Sequence, residues 1–542
     1  MSVRVAFYGG LGEIGRNCAT LEVDGRLAMI DAGLMFPDED MLGVDLVLPD
    51  FSSIIERADD LALVALTHGH EDHIGSLGYL LREANVPVYG TALTLALAGA
   101  RAEELGVDAD LRVVEPGTWI EHGPFRFAFI PVTHSVPDAT AIAFETPEGI
   151  VLHTGDIKLD PTPIDGVTTD LQTFAGFGRR GVRLFLVDST NAERPGFVAS
   201  EKTVGLRISE LVHEAEGRVL VACFASHLHR VQQAIDAAVA DGRRFAFVGR
   251  SMLRNSEIAA GIGTLDIPDG SLLELDELLA LPPEQTAVIS TGSQGEPFAA
   301  LSRMATGEHA SVSLDPSDTV IISATPIPGN EKRVSRVINS LSRVGVTVHH
   351  GLSTHVHVSG HAAAEELKLL YNVVRPQAVV PVHGEHRHML ANAALARSVG
   401  VGEVEVCEDG DVVVLEGGGL RVERGAVSAG YVYVDGLEVG EDEAVLRDRR
   451  HLADDGVILI TVGVDARKGD IVFGPDVDSH GVTGDSQELH DAVQVRVEQG
   501  IATLERPVDP DALRRRVRNA AARAVKAHIK RRPVIFPVVI EV

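Results

Sequence analysis

The sequence has few cysteines, no long apolar run and a shortage of basic residues. Its cysteines, Cys18, Cys223 and Cys407, are far apart and lack metal-type spacing, which indicates buried thiols in a reducing cytoplasm. No stretch of about eighteen apolar residues is present, so we expect no transmembrane helix and no membrane partner. The first residues lack the apolar core of a signal peptide, which also predicts a cytoplasmic protein.

The shortage of basic residues leaves a net charge of −30, from 48 Lys and Arg against 78 Asp and Glu. This balance argues against nucleic-acid binding, whose affinity usually comes from cations on phosphates, but a global sum ignores where those cations lie. A predicted helix over 511–532 carries nine of them, at Arg514, Arg515, Arg516, Arg518, Arg523, Lys526, Lys530, Arg531 and Arg532. They form either a solvated face or a contact for a polyanion. The length of 542 predicts two to four domains.

The most informative stretch is 67–73, which reads Thr-His-Gly-His-Glu-Asp-His. It follows the apolar run 61–66, so it lies where a buried strand ends and a helix begins. Imidazole nitrogens and carboxylate oxygens are ligands of zinc and similar cations. The alternative is a polar loop in which Asp72 caps the helix. Three histidines in seven residues, with further candidates elsewhere in the chain, favour a metal site.

Further candidate ligands follow other predicted strands, along one rim of a sheet. They are Asp31, His134, Asp156, Asp188 and His383. We expect two cations, the first held by His68, His70 and His134, the second by Asp72, His73 and His383, with Asp156 as a bridge. Two such ions about 3.5–4 Å apart can share a hydroxide that attacks a phosphodiester. Asp31 and Asp188 are candidates for orienting imidazoles through their free N–H groups.

Two other patterns bear on the organisation of the chain. Residues 9–15 contain a G-x-G-x-x-G match, but a dinucleotide site needs a helix next, and the sequence instead predicts a hairpin over 18–30. From about 201 to 351 helices alternate with strands. The histidine-rich strand ends then return at 355–361 and 383–386, so we expect the middle segment to interrupt the first domain.

Five motifs together resemble the ribonuclease J family, which belongs to the β-CASP nucleases of the metallo-β-lactamase superfamily. The histidine motif with Asp31, His134 and Asp156 is typical of the whole superfamily. The set specific to the family spans 9–15, 66–75, 325–330, 357–361 and 381–385. The resemblance covers essentially the whole chain, including the basic C-terminal module.

The resemblance implies an α/β chain: a metallo-β-lactamase αββα sandwich with an inserted α/β β-CASP domain and a small C-terminal α+β domain. The expected bounds are 1–200 and 353–438 for the sandwich, 201–352 for the insert, 439–451 for a linker and 452–542 for the last domain. The apolar closing strand 534–540 of the C-terminal domain needs either a covering partner or the domain's own helices, and we predict a homodimer or homotetramer.

The resemblance also implies a function: a hydrolase with two Zn²⁺ ions, or Mn²⁺ or Mg²⁺, that degrades 5′-monophosphorylated single-stranded RNA from its 5′ end. Internal cleavage, mRNA decay, rRNA and other RNA maturation, and membership of an RNA-degradation complex are implied with it. One alternative is a DNA-processing β-CASP nuclease, because relatives with this insert act on either nucleic acid. The insert and the basic helix argue against a small-ester or lactam hydrolase, and the full ligand set argues against a non-catalytic RNA-binding scaffold.

Residue roles carried over from the family fall on matching positions. Catalytic roles fall on Asp72, His73, Asp188 and His361. RNA contacts fall on Phe224, Ala225, Ser226, His357, Val358, Ser359, Gly360 and His361. A structural Ca²⁺ or Mn²⁺ would fall on Gly43, Asp45 and Asp435, where turn formation is the alternative.

The phosphate contacts also have a physical basis in the sequence. Residues 359–361 precede a helix predicted to begin at Ala362, and helix N-termini attract anions through free N–H groups. Ser226 also precedes a predicted helix, and for it and Ser359 simple N-capping is the alternative. His361 could hydrogen-bond a phosphoryl oxygen as charge develops.

Overall fold

The computed structural model describes residues 2–38, 40–296, 298–327, 330–351, 353–436, 438–440, 443–465, 468, 470–482, 486–504 and 508–542. The chain forms two compact units. The larger contains Met1–Phe36 and Leu46–Val432, and the smaller contains Pro37–Asp45 and Tyr433–Val542. No described helix is both long enough and apolar enough to cross a bilayer. The three cysteines are buried free thiols, as predicted.

The larger unit begins with thirteen strands and five helices. The strands are β1 (Val3–Gly9), β2 (Leu11–Gly12), β3 (Cys18–Val23), β4 (Arg26–Ile30), β5 (Leu46–Pro49), β6 (Leu61–Ala65), β7 (Val88–Gly90), β8 (Leu111–Val113), β9 (Trp119–His122), β10 (Phe125–Pro131), β11 (Thr140–Thr146), β12 (Gly149–His153) and β13 (Val182–Asp188). The helices are α1 (Ser52–Ile55), α2 (Glu71–Ile74), α3 (Leu77–Glu83), α4 (Ala92–Glu104) and α5 (Leu171–Arg180).

The middle of the larger unit alternates helices with parallel strands, as predicted. Its elements are α6 (Glu201–Glu214), β14 (Val219–Ala222), α7 (Leu228–Ala240), β15 (Arg244–Val248), α8 (Arg250–Gly261), α9 (Leu275–Leu279), β16 (Thr286–Ser290), α10 (Ala300–Thr306), β17 (Thr319–Ile322), α11 (Glu331–Val344) and β18 (Thr347–His350). The unit ends with α12 (Ala364–Val374), β19 (Ala378–Val382), β20 (Gly384–Glu385), α13 (His386–Ser398), β21 (Glu403–Val404), β22 (Val412–Glu416) and β23 (Gly419–Glu423).

Two sheets face each other in the larger unit. One has the order β23-β22-β1-β3-β4-β6-β7-β8 and the other β21-β19-β13-β12-β11-β10-β9. Side chains alternate along β1, so Val5 and Phe7 join Phe127 and Phe129 of the other sheet in a buried core. Ala6 belongs to a second core that also contains residues of the outer helices. Because both faces of each sheet are covered, the strands read as continuous apolar runs.

The middle segment leaves the second sheet and the chain then returns to it. Strand β19 pairs in parallel with β13, which places Val382 opposite Asp188. Between these strands the chain forms a separate five-stranded parallel sheet of order β15-β16-β14-β17-β18. Strands β4 and β6 are also parallel, as are β12 and β13. Polar residues that follow parallel strands therefore collect at common edges of the two sheets.

The first hairpin forms as the sequence predicts. Strands β3 and β4 pair antiparallel, with Ala19 opposite Ile30. Asp24 and Gly25 form the turn, and both adopt positive φ angles, 52° and 76°. Asp and Gly tolerate this conformation better than other residues. A hairpin in place of a helix after the glycine-rich opening excludes a dinucleotide fold there.

The smaller unit includes β24 (Tyr431–Asp435), which starts at the border of the two units, and β25 (Glu438–Val439). It continues with α14 (Glu443–Asp455), β26 (Val457–Val464), β27 (Ile471–His480), α15 (Ser486–Ile501), α16 (Pro510–His528) and β28 (Val534–Glu541). The ββααβ order after α14 confirms the predicted element order. Strand β26 is central, antiparallel to β27 and parallel to β28.

Three details of the smaller unit differ from the sequence expectations or qualify them. The stretch predicted as a linker contains most of α14, which ends before the positive-φ residue Gly456. Helix α16 ends at His528 rather than Arg532, because Ile529 already has an extended backbone, with φ −131° and ψ 150°. In β28, Ile535 packs on the unit's own core, while Phe536 is 56% exposed, so the expected oligomer stays a prediction.

Candidate metal centre

The segment between β6 and α2 brings its polar side chains to the edge of the sheet. His70 is the N-terminal cap residue of α2, but its side chain makes no capping hydrogen bond. Asp72 lies in the first turn of the helix rather than at the cap. The side chains of His68 and His73 are buried, at 0% and 1% exposure. The capping interpretation of Asp72 is therefore wrong, and the segment presents its side chains to other strand ends.

The first predicted ligand group is assembled in the structure. Potential ligand atoms of His68, His70, His134 and Asp156 all lie within 4.8 Å of one another. The Nδ1 atom of His70 is 3.1 Å from the Nε2 atoms of both His68 and His134. The Oδ2 atom of Asp156 is 3.4 Å from His68 Nε2 and 3.3 Å from His134 Nε2.

The second predicted group is assembled beside the first. Asp72, His73 and His383 place ligand atoms within the same limit of one another. The other oxygen of Asp156, Oδ1, is 3.3 Å from His73 Nε2 and 3.5 Å from His383 Nε2. One carboxylate therefore directs one oxygen to each group, which is the arrangement expected of a bridging ligand.

These spacings suit divalent cations. With metal–ligand distances of about 2.1 Å, tetrahedral geometry places neighbouring ligand atoms roughly 3.4 Å apart. The Oδ1 atom of Asp156 is buried and has no hydrogen-bond donor among the described residues. A buried carboxylate oxygen without a donor is costly unless a cation or a proton balances it. The donor set of imidazoles and carboxylates therefore fits two divalent cations, which would be held by the two groups.

The electrostatics of the first group keep its imidazoles neutral. Burial and the neighbouring His68 lower the pKa of His70 to about 3. Burial also lowers the pKa of His68 and holds that of His134 well below its ordinary value. Burial opposes ionisation of Asp156, but His383 and His73 outweigh it and hold the pKa of the carboxyl well below its usual range. Neutral imidazoles and an ionised carboxylate are the forms that bind metals.

Hydrogen bonds orient the imidazoles from behind. The Oδ2 atom of Asp31 is 2.7 Å from His73 Nδ1 and also accepts from the hydroxyl of Thr67 at 2.8 Å. The Nδ1 atom of His134 is 2.8 Å from the carbonyl oxygen of Gly360. Asp31 and His383 have positive φ angles of 59° and 53°, which are strained for residues with side chains. Asp31 thus occupies the orienting position that the sequence predicts.

Asp188 and His361 form a pair next to the ligand groups. The Nδ1 atom of His361 is 2.7 Å from the Oδ2 atom of Asp188. Ligand atoms of both residues lie within 4.8 Å of those of Asp156 and His383. Asp188 and Asp156 outweigh the effect of burial and raise the pKa of His361 to about 9. The sequence predicts Asp188 as an orienting carboxylate and His361 as a phosphate contact. The structure places both residues beside the two ligand groups.

Sequence reasoning missed Asn17, which follows the glycine-rich opening 9–15. Its Nδ2 atom donates to the carbonyl oxygen of Asp72 at 3.1 Å and lies 3.1 Å from His73 Nε2. The Cβ that a larger residue would add at Gly33 would fall 1.7 Å from that same carbonyl oxygen. The opening motif therefore packs directly against the histidine segment. An asparagine that follows such a motif was the available signal.

Sequence reasoning also missed a buried charge network beside the site. Arg230 on α7 is fully buried, and its Nε atom donates to Glu201 at 3.0 Å. Its Nη1 atom donates to the carbonyl oxygen of Val356 at 2.9 Å. Lys158, two residues after Asp156, is 1% exposed, and its Nζ atom is 3.4 Å from Asp160. The backbone N–H of Glu201 donates to the carboxylate of Asp160 at 2.9 Å, which joins the middle segment to the loop after β12.

The predicted RNA-contact segments lie near these groups, but their helix positions differ from expectation. Helix α12 begins at Ala364, with Ala363 as its cap, so residues 359–361 do not directly precede it. The hydroxyl of Ser359 instead accepts from the backbone N–H of His361 at 3.2 Å. Helix α7 is capped by the side chain of His227, not by Ser226. The helix-dipole argument for Ser359 is therefore wrong, and the N-capping alternative does not apply to either serine.

The remaining predicted positions divide into two sets. Phe224, Ala225 and Ser226 are partly exposed after β14. In the smaller unit, Asp435 pairs with Arg449 at 2.6 Å, and Asp45 accepts from the N–H of Gly436 at 2.8 Å. The guanidinium of Arg449 also lies against Gly43. An arginine thus balances the charge where the structural cation was predicted, and that cation stays a prediction. Residues 328–329 of the 325–330 motif lie outside the described part of the chain.

Four family matches cover most of the sequence. Residues 11–190 match the metallo-beta-lactamase superfamily, and 216–341 match the beta-CASP domain of ribonuclease J. Residues 345–407 match the RNA specificity domain of Zn-dependent metallo-hydrolases, and 444–542 match the ribonuclease J C-terminal domain. Ribonuclease J of Mycobacterium tuberculosis strain H37Rv is 44% identical over 100% of this chain and 97% of its own length. The chain belongs to the ribonuclease J family.

A second member of the ribonuclease J family also aligns over nearly its whole length. Ribonuclease J2 of Bacillus subtilis strain 168 is 37% identical over 100% of this chain and 99% of its own length. A crystal structure of a protein of unknown function from Enterococcus faecalis V583 matches 77% of this chain and 100% of its own, with a TM-score of 0.55 and 17% identity. That likeness concerns the fold alone. The predicted family and fold class are confirmed: the chain is a metallo-β-lactamase and β-CASP nuclease with a ribonuclease J C-terminal domain.

Proposed function

We propose that this protein is a 5′-to-3′ exoribonuclease, with additional internal cleavage, that acts on 5′-monophosphorylated single-stranded RNA in mRNA decay and RNA maturation. The observation that carries the proposal is the position of Asp156, whose two oxygens face His68 and His134 on one side and His73 and His383 on the other. Two divalent cations, which we propose to be Zn²⁺, supply water activation and charge stabilisation for displacement at phosphorus when bound.

The protein's own residues support each remaining task. The hydrogen bond between His361 Nδ1 and Asp188 holds the imidazole ring in place. The Nε2 atom of His361 is then left to contact a phosphoryl oxygen. Asp188 accepts from the backbone N–H groups of Thr190 and Ile157, at 3.0 and 3.3 Å, so its own carboxylate is held in place. Asp31 holds His73 in the same manner.

Buried nitrogen atoms support recognition of a terminal phosphate. Lys158 Nζ, His227 Nε2 and His357 Nδ1 are buried and make no hydrogen bond with the described residues. Burial, with Arg230 and Lys158 adding to it, lowers the pKa of His357 to about 3, so its ring is neutral. Such buried nitrogens are costly to leave without hydrogen bonds, and a phosphate offers several acceptor oxygens to those that carry a hydrogen. Lys158 follows Asp156 by two residues, and His357 precedes His361 by four.

End-labelled RNA tests this proposal. The purified protein, supplied in turn with Zn²⁺, Mn²⁺ or Mg²⁺, should release mononucleotides from RNA with a 5′-monophosphate and much more slowly from RNA with a 5′-hydroxyl. His70→Ala should abolish release while the circular dichroism spectrum stays unchanged. Equal rates on RNA with a 5′-monophosphate and RNA with a 5′-hydroxyl would contradict the proposed 5′-phosphate preference. Faster hydrolysis of single-stranded DNA than of RNA would indicate that DNA is the substrate.

A further inference from the structure

The exposed side of α16 carries positive charges that the rest of the structure leaves unpaired. Arg515, Arg518, Arg523 and Lys526 are exposed, and none forms an ion pair or hydrogen bond with the described residues. Arg514 is excluded because it pairs with Asp511 at 2.9 Å. Between residues 512 and 540 the sequence has nine basic residues and no acidic one. In a chain with a net charge of −30, this is an isolated cationic surface.

The helix holds these charges in a fixed row. Leu513, Val517 and Ala521 are buried on its opposite side. At about 1.5 Å of rise per residue, Arg515 and Lys526 are separated by roughly 16 Å along the axis. Successive cations are about 4–8 Å apart along the axis, and all four lie on the exposed side of the helix. Their fields therefore add, and an extended polyanion that follows the helix meets several of them.

The chemistry of this surface selects the kind of partner. The exposed positions of α16 include no aromatic and no large aliphatic residue. Protein interfaces are enriched in such residues, and helices that bind membranes must insert them into the lipid. The apolar side of α16 is not available for either purpose, since it is packed in the core of the smaller unit. Arginine-rich surfaces without apolar anchors suit phosphate backbones.

We propose that Arg515, Arg518, Arg523 and Lys526 of α16 form a second RNA-binding surface, which holds the phosphate backbone of the substrate without reading its bases. This inference rests on the proposed function, because the polyanion is taken to be the RNA that the metal centre cleaves. An acidic protein repels RNA over most of its surface, so a local cationic row would supply affinity for long substrates. It would act on binding and not on the chemical step.

The test compares two triple variants with the same change of charge. The first is Arg515→Gln, Arg518→Gln and Lys526→Gln, which keeps good helix formers at exposed positions. The control is Lys332→Gln, Arg336→Gln and Arg343→Gln on α11, where the side chains are also exposed. Binding of fluorescein-labelled 40-nucleotide and 8-nucleotide RNA is followed by anisotropy in chelator, so that no cleavage occurs. Salt is varied from 50 to 200 mM.

The logarithm of the binding constant falls linearly with the logarithm of the salt concentration, and each lost phosphate contact should reduce the magnitude of that slope by about 0.7. The α16 variant should therefore have a slope smaller by about 2. It should bind the 40-mer roughly 10–100-fold more weakly. The α11 control should change less than about threefold. KM for the 40-mer should rise in the α16 variant while kcat stays unchanged. Replacement of the two arginines by lysine should retain most of the binding, because the charge is kept.

Two results would overturn the inference. Equal losses in both triple variants would show an effect of net charge alone, and unchanged binding in the α16 variant would exclude the surface. Weakened binding to phosphatidylserine vesicles with unchanged RNA binding would assign the surface to a membrane. The binding assay needs no catalysis, so failure of the nuclease proposal would appear separately, as wild-type protein that binds RNA through α16 but releases no nucleotides.

Discussion

The Nδ1 atom of His134 lies 2.8 Å from the carbonyl oxygen of Gly360, a residue 226 positions later in the chain. Between them lies the segment that folds as a separate five-stranded sheet. The hydrogen bond therefore links a proposed metal ligand to the segment that follows the insert and is proposed to contact RNA. If both proposed roles hold, ligand orientation and substrate contact meet at this one backbone position.

Gly360→Ala should disturb the metal centre without touching a ligand directly. An added Cβ would fall 2.8 Å from Cε1 and 2.9 Å from Nδ1 of His134, so the ring must move. Because outer contacts of ligands typically contribute about 10–100-fold, we expect a loss of that size in metal affinity or nuclease rate. Metal content by mass spectrometry and RNA cleavage provide the measurement.

The matched control for Gly360→Ala is Gly176→Ala on α5. A Cβ at Gly176 meets no heavy atom within 4 Å, and alanine favours the helix. Metal content and rate should be unchanged there. Full metal content in Gly360→Ala would contradict the proposed coupling.

Asp31→Asn should weaken the second ligand group. The carboxylate accepts from Thr67 N, Thr67 Oγ1 and His73 Nδ1, at 2.7, 2.8 and 2.7 Å. An amide nitrogen in place of one oxygen would face a donor, which leaves His73 misoriented. We expect a loss of about 10–100-fold in metal affinity.

A metal titration distinguishes this effect from unfolding. Excess Zn²⁺ or Mn²⁺ should restore the activity of Asp31→Asn, whereas a misfolded protein would not respond. Asp24→Asn in the exposed hairpin turn makes the same chemical change where the side chain has no part in the site, and it should behave as wild type.

Arg230→Met should strongly destabilise the larger unit. The guanidinium is fully buried and binds Glu201, Gln233 and the carbonyl oxygen of Val356. Removal of one partner from a buried ion pair leaves the other charge uncompensated and typically costs about 3–5 kcal/mol. Urea unfolding followed by circular dichroism measures the change.

The double variant Glu201→Gln with Arg230→Met is the informative comparison. Because no buried charge is left unpaired at Glu201, it should be more stable than Arg230→Met alone. A double variant that is less stable than the single one would show that the Glu201–Arg230 pair is not the origin of the loss.

Asp409 should make stability fall as pH rises. Burial and the nearby Glu13 raise the pKa of Asp409 to about 7, above its unfolded value of about 3.9. Between these values the folded protein binds more protons than the unfolded chain, so stability decreases with increasing pH. From pH 5 to pH 8, the melting temperature of the wild type should therefore fall relative to that of Asp409→Asn. Parallel melting curves at both pH values would contradict this.

The sequence alone determined much of the site because its signals are local. Histidines and carboxylates directly after apolar runs predict polar side chains at strand ends, and parallel strands bring those ends to one edge. For that reason the two ligand groups, the position of Asp156 between them and the orienting role of Asp31 could be inferred from 67–73 and the later strand ends. The hairpin over 18–30 and the ββααβ order near the C-terminus could likewise be predicted, from the spacing of apolar residues along each element and from the turn residues between them.

Only the tertiary structure decided the contacts that join distant segments. The hydrogen bonds of Asn17, the burial of Lys158 and Arg230, and the approach of Gly360 to His134 depend on packing between elements that no local period encodes. Helix ends were also misplaced at residues 359–364 and 528–532, because caps depend on neighbouring backbone as much as on the residue itself. The candidate ligands were readable from the chain because all of them follow strand ends, four after β6 and one each after β10, β12 and β19. Their orientation required knowing which backbone lies behind each ring.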